Sequence, residues 1–239
     1  NISLTPDKIS EHAGAKVLDY SIYGNNGTRN FNSTSDFGRN YTTDAKFSKA
    51  LVFDGVNDYV NVSMPENTFN RSYSVGVWLK SSGTIYKIMM GRAQAGSNEF
   101  VFYWNYPTAG RVSFGTGPTG SDSMLLMSGV TNLNNNNWRH VVVMRDNSTG
   151  KLSMYIDGIL DGKRDEVEGT SPTKSNLIIG NYFGDNYGPR FFDGTLDEIF
   201  IFNQTLTAEE IQRIYERGVL KLNLSYRTST DNVTWTAWT

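Results

Sequence analysis

The stretch WRHVVVMRDNSTGKLSMYIDGILDG, residues 138–162, decides the fold of this chain. Apolar residues recur at every second position, the period of a β-strand with one buried face. In the run KLSMYI that face holds Leu152, Met154 and Ile156. The segment DNSTG at 146–150 has the composition of a hairpin connection, and Asp157-Gly158 suits a type I′ turn, whose two central residues need positive φ. The stretch therefore predicts three antiparallel strands.

The same alternation occurs elsewhere in the chain. One face of SYSVGVWLKS carries Tyr73, Val75, Val77 and Leu79. One face of NEFVFYWN carries Phe100, Phe102 and Trp104. Gly, Asn, Asp or Pro residues bound each run, as expected where strands end in turns. So many strands with hairpin-length connections predict an all-β fold of two stacked antiparallel sheets.

One helix is predicted near the end of the segment GTLDEIFIFNQTLTAEEIQRIYERG, residues 194–218. Thr207 and Glu210 have the spacing of a capping box, in which each side chain bonds the other residue's backbone N–H. Ile211, Ile214 and Tyr215 form the apolar stripe. Gly218 is predicted to end the helix in the left-handed conformation. Because a helix of about ten residues is marginal alone, we expect its stripe to pack on the sheets.

The composition excludes several classes of partner. The chain has 239 residues, 19% of them charged, with a formal net charge of -2 and no cysteine. This balance provides no basic surface for nucleic acid or for an anionic membrane. No apolar run approaches the roughly 20 residues of a membrane span, so we expect no membrane insertion by this segment. We expect any targeting segment to have been removed or to lie outside this sequence.

Asn-x-Ser/Thr triplets are frequent. Shuffling this composition would give roughly four of them, so chance accounts for part of the set. Together with the absence of cysteine, the triplets suggest an exported cell-surface protein of an archaeon or bacterium, with archaea favoured because N-glycosylation is widespread on their surfaces. The triplets, which are predicted glycosylation sites, begin at Asn1, Asn26, Asn32, Asn40, Asn61, Asn70, Asn147, Asn203, Asn223 and Asn232.

Several motifs, taken in order, resemble those of laminin-G-like, concanavalin A-like lectin domains. They are VLDYSIYGNNGT (17–28), FSKALVFDGVNDYVNV (47–62), YSVGVWLK (73–80), the 138–162 stretch, NLIIGNYFG (176–184) and the 194–218 segment. The likeness covers roughly residues 15–218. It implies a two-sheet antiparallel jelly-roll sandwich with one late helix.

The domain boundaries follow from the extent of this resemblance. Residues 1–218 are predicted to form the sandwich. The last residues, 219–239, alternate again, as in Leu220, Leu222, Leu224 and Tyr226. They are predicted to be extra β strands, which either begin a further β module of a longer chain or serve as an assembly strand.

Acidic and amide side chains at strand ends suggest a structural calcium ion. Calcium takes six to eight oxygen ligands from carboxylates, amides and main-chain carbonyls. The resemblance implies that the first and last strands lie side by side, which would bring the 19–28 loop near 194–198. The alternative is that the acids are turn residues whose carboxylates bond nearby backbone amides. The candidate ligands are Asp19, Asn25, Asn26, Asp54 and Asp197.

Catalysis is not predicted. Some glucanases of this fold carry a Glu-x-Asp-x-Glu strand, and retaining hydrolysis needs two carboxyls about 5–5.5 Å apart. The nearest match here is RDEVEGT, where Glu166 and Glu168 flank a valine, and a solvated hairpin explains it better. His12 and His140 are far apart, and His140 lies on an apolar face, where a hydrogen-bonded core histidine is expected. We therefore expect a non-catalytic protein.

Two aromatic loops suggest a ligand site. Sugars stack on aromatic faces beside amide or charged groups. The alternative is that these aromatic residues pack over the ends of the sandwich. The candidates from NYFGDNYGPRFFDG at 181–194 are Tyr182, Asp185, Asn186, Tyr187 and Arg190, and those from YWNYPTAG at 103–110 are Trp104 and Tyr106.

Two functions remain open. The first is an extracellular adhesion module that recognises carbohydrate or a glycoprotein at a cell surface. The second is a structural module of a surface layer, filament or fibre. In the second case its partners would be other copies of itself or neighbouring domains, reached through β edges and the C-terminal strand.

Overall fold

Sixteen strands and one helix form the described part of this computed structural model, which comprises residues 2–5, 16–31, 41–66, 68–69, 71–94, 97–117, 125–165, 176–182 and 190–219. The strands pair in antiparallel fashion and form two stacked sheets, as predicted. Both predicted hairpins of the 138–162 stretch are present. Asp157 and Gly158 have φ values of 51° and 81°, the signs that a type I′ turn requires.

The first sheet is centred on β7, β12 and β16. Its strand order is β14, β13, β12, β7 and β16. On the edge away from β7, β16 pairs with β5 at residues 193–196 and with β1 at residues 199–201. The short strand β4 pairs with β5. The strands are β1 (Ile2–Thr5), β4 (Tyr41–Thr42), β5 (Ala50–Asp54), β7 (Tyr73–Lys80), β12 (Arg139–Asp146), β13 (Lys151–Ile156), β14 (Ile159–Arg164) and β16 (Asp193–Phe202).

The second sheet has the order β11, β10, β9, β8, β15, β6, β3 and β2. Strand β2 also pairs with β1, so the two sheets join along this side. The adjacency of β1 and β16 agrees with the predicted pairing of the first and last strands. The strands are β2 (Lys16–Asp19), β3 (Gly27–Asn30), β6 (Tyr59–Val62), β8 (Lys87–Gln94), β9 (Ser97–Trp104), β10 (Val112–Gly117), β11 (Leu125–Ser128) and β15 (Leu177–Ile179).

The main core lies between the sheets and is built by alternation. Each apolar face identified in the sequence points inward, because residues two apart on a strand share a face. This core contains Tyr73, Val75, Val77 and Leu79 of β7, Phe100, Phe102 and Trp104 of β9, and Leu152, Met154 and Ile156 of β13.

Helix α1 (Ala208–Val219) covers the outer face of the first sheet and confirms the predicted docking. Ile211 is fully buried in a second apolar cluster with Val142, Met144, Phe200 and Leu206. The capping box is formed: Glu210 accepts from the Thr207 N–H at 2.7 Å, and Thr207 Oγ1 accepts from the Glu210 N–H at 3.2 Å.

One prediction about the helix end was wrong. Gly218 does not stop the helix in a left-handed conformation, because the helix continues through Val219. Gly218 instead lies against Trp78, where a β carbon would overlap the indole ring. The division into residues 1–218 and 219–239 stays a prediction, and Val219 is the last residue of the helix. Residues 220–239, predicted to be extra β strands, lie outside the described residues.

The Asp197-Glu198 pair anchors two other segments to β16. Asp197 is buried, and its carboxylate accepts hydrogen bonds from the backbone N–H groups of Lys46 at 2.9 Å and Phe47 at 3.0 Å. Glu198, with φ of 45° at a register shift, pairs with Arg217 of α1 at 2.7 Å. The two acids therefore fix the 46–47 segment and the helix onto the same strand.

Candidate aromatic binding site

A group of three tyrosines lies on the outer side of the second sheet, at the end where β16 begins. Tyr103 is on the face of β9 opposite to Phe102, because the strand alternates. Tyr86 directly precedes β8, which pairs with β9. Tyr106 follows β9 in the connection to β10. We call Tyr86, Tyr103, Tyr106 and the nearby Arg190 the aromatic patch.

The rings of the aromatic patch are in mutual contact. Tyr86 and Tyr106 stack with centroids 4.6 Å apart, and Tyr103 lies 5.3 Å from Tyr106. The guanidinium carbon of Arg190 is 4.2 Å from the centroid of Tyr86. Tyr103 is nearly buried, whereas Tyr106 remains 39% exposed. The patch therefore presents one partly open ring backed by others, with a cationic group beside it.

Hydrogen bonds fix the two loops that carry Tyr86 and Tyr106. The indole N–H of Trp104 donates to the Gly83 carbonyl at 2.9 Å, and the Asn105 side chain donates to the same oxygen. Ser113 Oγ donates to the Tyr106 carbonyl. Because both loops are tied to β9 and β10, the tyrosines keep their relative positions without a ligand.

The backbone N–H and the backbone carbonyl of Arg190 each make a hydrogen bond. Its N–H donates to Asn181 Oδ1 at 2.9 Å, and its carbonyl accepts from the Ile88 N–H at 3.0 Å. These bonds attach the segment before β16 to β8 and place the guanidinium on Tyr86. A guanidinium is a planar donor that pairs readily with the oxygen atoms of a ligand.

The predicted ligand residues divide into three sets. Tyr106 and Arg190 belong to the aromatic patch. Trp104 is fully buried between the sheets, and Tyr182 is 5% exposed and packs over Gly91, so neither is available to a ligand as predicted. Asp185, Asn186 and Tyr187 lie outside the described residues.

Sequence reasoning missed Tyr86 and Tyr103. The signal for Tyr103 was present: Phe100, Phe102 and Trp104 fill the inner face, so the residue between them must point outward. Tyr86 gave no comparable signal, because its contact with Tyr106 depends on the pairing of β8 with β9.

The predicted calcium ligands lie at different places in the sandwich. Asp19 organises its own loop: its carboxylate accepts from the N–H of Ser21 at 2.8 Å and of Asn25 at 2.7 Å. The Asn26 side-chain oxygen accepts from the Asp19 N–H at 2.8 Å. This is the alternative role, that of turn residues bonding nearby amides.

Asp54 and Asp197 do not join this loop. Asp54 is paired with Asp193 at the start of β16. Asp19 is paired with Leu4 of β1, and Leu4 is paired with Ile199 of β16, so Asp19 lies at the height of Ile199. At the usual strand rise these two levels are roughly 20 Å apart. The Asp54 carboxylate accepts a hydrogen bond from the Val56 N–H. The Asp197 carboxylate accepts from the backbone N–H groups of Lys46 and Phe47. The five residues therefore cannot ligate one ion together.

Calcium binding itself stays a prediction. Within the described ranges, no three His, Cys, Asp or Glu side chains are grouped so that they could hold a metal. Calcium also binds main-chain carbonyl oxygens, which are not among these side chains. Calorimetric titration of calcium into chelator-treated protein tests the prediction.

Four predicted glycosylation sites lie in the described residues. Asn147 is exposed in the β12–β13 turn and Asn203 is exposed after β16, whereas Asn61 lies within β6 with a buried side-chain oxygen. The side-chain oxygen of Asn26 accepts a hydrogen bond from the Asp19 N–H. Whether any carries a glycan stays a prediction. The remaining sites, Asn1, Asn32, Asn40, Asn70, Asn223 and Asn232, lie outside the described residues.

His140 is buried, as expected, but it is not hydrogen-bonded through its ring. Neither ring nitrogen has a partner among the described residues. The ring packs against Trp78 at 5.0 Å and Tyr215 at 6.2 Å between centroids. Burial lowers the pKa of His140 to about 4. The other residues considered for catalysis, His12, Glu166 and Glu168, lie outside the described residues.

Residues 54–212 match the profile of the concanavalin A-like lectin/glucanases superfamily. This span contains the aromatic patch and the first five residues of helix α1. The sequence matches none of the curated proteins with which it was compared.

Solved structures of botulinum neurotoxin binding domains share the fold. One, from a study of type C cell entry that depends on two ganglioside molecules, has a TM-score of 0.68 at 15% identity, covering 91% of this chain and 51% of that chain. The serotype DC binding domain in complex with SialylT has a TM-score of 0.65 at 14% identity, covering 91% and 50%. The DC domain with rat synaptotagmin II has a TM-score of 0.66 at 15% identity, covering 91% and 51%. This chain thus spans about half the length of each.

No helix within the described ranges combines the length and the apolar character needed to cross a bilayer.

Proposed function

Because this chain belongs to the concanavalin A-like lectin/glucanases superfamily, we propose that it is a non-catalytic domain that binds the carbohydrate of a cell-surface glycoconjugate through its aromatic patch. The single observation that carries the proposal is the partly exposed ring of Tyr106, stacked at 4.6 Å on Tyr86 beside the guanidinium of Arg190. We propose that the domain acts outside the cell.

The physical argument begins with the face of Tyr106. The C–H groups of a pyranose ring pack on an aromatic face, while its hydroxyl groups need hydrogen-bond partners at the edge. Tyr106 supplies such a face, and Arg190, whose guanidinium lies over Tyr86, supplies planar N–H donors in the same patch. The rings behind Tyr106 hold it in place, which lowers the entropic cost of binding.

The structural neighbours support a recognition role without identifying the ligand. Those toxin domains are associated with gangliosides, with SialylT and with rat synaptotagmin II. Each match covers about half of the toxin domain, so it does not assign those contacts to the matched half. The argument for this chain therefore rests on its own aromatic patch.

A glycan array followed by calorimetry on any bound glycan tests the proposal. We expect Tyr106→Ala to weaken binding by about tenfold or more, since stacking on an aromatic ring is worth about 0.5–1.5 kcal/mol beyond area burial. Ile85→Ala is the matched control, because Ile85 is exposed on the adjacent loop and has no ring. Equal binding by the Tyr106→Ala variant and the wild type would refute the site.

A further inference from the structure

The β2–β3 loop presents a small apolar surface to solvent. Ile22 is 94% exposed, and it stands between Tyr20 at 48% and Tyr23 at 57%. A single exposed apolar residue is common on protein surfaces, but three large ones at the apex of one loop are typical of a contact surface. We call Tyr20, Ile22 and Tyr23 the apolar tip.

The loop that carries the apolar tip is internally braced. Asp19 accepts from the N–H of Ser21 and of Asn25, and Ser21 Oγ accepts from the Tyr23 N–H at 3.2 Å. Gly24 has a φ of 61°, a conformation that favours glycine and turns the chain back toward β3. The tip is therefore exposed by a defined loop structure.

A groove of about 370 Å³ lies where helix α1 begins, on the outer face of the first sheet. Its apolar lining comes from Phe202, Leu206 and Ile214, and its polar lining from Gln204, Glu210 and Arg213. Phe202 and Ile214 remain only half-buried at the edge of the cluster beneath the helix. The groove therefore offers apolar contact with hydrogen-bonding groups beside it.

The apolar tip and the groove lie toward the same end of the sandwich. Strand β2 is antiparallel to β1, and β1 is antiparallel to β16, so β2 and β16 run in the same direction. The tip follows the last residue of β2, and the groove adjoins Phe202, the last residue of β16. A two-fold axis near this end would place each tip against the groove of a second copy.

We propose that this domain self-associates as a symmetric dimer, in which the apolar tip of each copy occupies the groove of the other. The Ile22 side chain contacts the apolar lining. The hydroxyl groups of Tyr20 and Tyr23 hydrogen-bond with Gln204, Glu210 or Arg213. This proposal is independent of the carbohydrate function.

The chemistry of the tip favours this occupant over other partners. Ile22, the most exposed residue of the tip, has no ring face for a sugar, and the loop 20–26 has no charged side chain to bond sugar hydroxyl groups beside Tyr20 and Tyr23. The loop 20–26 contains no lysine or arginine, whereas surfaces that bind anionic membranes combine apolar and basic residues. The loop also contains no acid, and the net charge of -2 gives little repulsion between copies. An uncharged apolar tip thus matches a groove that the same chain provides.

Sedimentation velocity over a range of concentrations tests the proposal with paired variants. Ile22→Ser removes the apolar contact and Gln204→Trp fills the groove. Each variant should weaken dimerisation by about tenfold to a hundredfold, as expected for losing the burial of one large apolar side chain per contact. Ile85→Ser, an exposed isoleucine at the opposite end, should dimerise like the wild type. The protein should come from a host without N-glycosylation, because Asn203 adjoins the groove.

A mixture of the two variants provides the decisive measurement. The Gln204→Trp copy retains its tip and the Ile22→Ser copy retains its groove, so the mixture should form a heterodimer with one intact contact. This heterodimer should be weaker than the wild-type dimer and stronger than either variant alone. A monomeric wild type, an Ile22→Ser variant that dimerises normally, or a mixture that stays monomeric would overturn the proposal. Binding of wild-type monomer to neutral lipid vesicles, lost in Ile22→Ser, would assign the tip to a membrane instead.

Discussion

Gly218 packs directly against Trp78, so the last turn of helix α1 approaches the first sheet as closely as a backbone can. A β carbon at this position would overlap Cζ2 and Cε2 of the indole and would lie 2.8 Å from Nε1. The same indole stacks on Tyr215 of the helix at 5.6 Å and contacts His140 at 5.0 Å. One glycine therefore permits the aromatic contact that holds the helix on the sheet.

Gly218→Ala should destabilise the protein even though alanine is the better helix former. Alanine gains about 1 kcal/mol of helix propensity, but overpacking in a closely packed contact costs about 1–3 kcal/mol. We expect a net loss in the free energy of unfolding, measured by urea denaturation. Glu209→Ala, on the exposed side of the same helix, is the control and should change stability little. A more stable Gly218→Ala variant would mean that the indole can move aside.

Stability should fall in mild acid because His140 is buried and its ring nitrogens have no hydrogen-bond partner in the part of the chain that the structure describes. Burial lowers the pKa of His140 to about 4, below its ordinary value of 6.5, so the unfolded state binds the proton more tightly. The contribution of His140 is complete above pH 6.5 and is lost as the pH falls toward 4. The full loss is about 3 kcal/mol.

Replacing the ring isolates this effect. His140→Phe keeps an aromatic ring between Trp78 and Tyr215 and cannot be protonated. Its free energy of unfolding should at least equal that of the wild type at pH 7. The difference between the two proteins should widen steadily as urea unfolding is repeated between pH 6.5 and 4.5. A constant difference over this range would contradict the explanation.

Asp58 should have the opposite effect on the pH dependence of stability, because its stabilising contribution is lost as the pH rises. It is buried and accepts from the Asp54 N–H at 3.1 Å, and burial raises its pKa to about 6. A raised folded pKa gives stability that is present below about pH 4 and is lost as the pH rises through 6. Asp58→Asn keeps an acceptor oxygen and removes the charge, so it should be more stable than the wild type at pH 7 by about 1 kcal/mol. An equal or lower stability at pH 7, measured by urea unfolding, would count against this.

The core was predictable because every second side chain of a β-strand points to the same face of the sheet. Once Phe100 and Phe102 share a face, Trp104 must lie in the same core, and the structure places all three there. The mistaken use of Trp104 as a ligand contact came from treating its neighbours as a loop. Tyr103, one position earlier, had to point the other way. The local pattern thus contained the position of Tyr103, one of the four residues of the aromatic patch.

Contacts between distant segments were not predictable in this way. The separation of Asp19 from Asp54 follows from which end of β16 each strand meets, and a single sequence does not specify strand order. The role of Gly218 likewise depends on Trp78, 140 positions away, because only docking brings the two together. Asp19 and Asp54 keep the local role of turn acids, whereas Gly218 has a role set by tertiary packing.

Asp197 should be the most sensitive acid in the described structure. It is 1% exposed, and its carboxylate accepts from the backbone N–H groups of Lys46, Phe47 and Glu198. Removing this acceptor leaves buried donors unpaired, and each such donor costs about 1–3 kcal/mol. We expect Asp197→Ala to lower the free energy of unfolding by about 3 kcal/mol and Asp197→Asn, which keeps one oxygen, to lower it less.

The adjacent acid supplies the control for this prediction. Glu198→Gln weakens the ion pair with Arg217, whose side chain is largely exposed, so it should cost about 1 kcal/mol or less. Hydrogen exchange separates the two effects further. Asp197→Ala should speed exchange of the Lys46 and Phe47 amides, whereas Glu198→Gln should leave them protected. If Glu198→Gln proved as costly as Asp197→Ala, the helix contact would matter more than the buried acceptor.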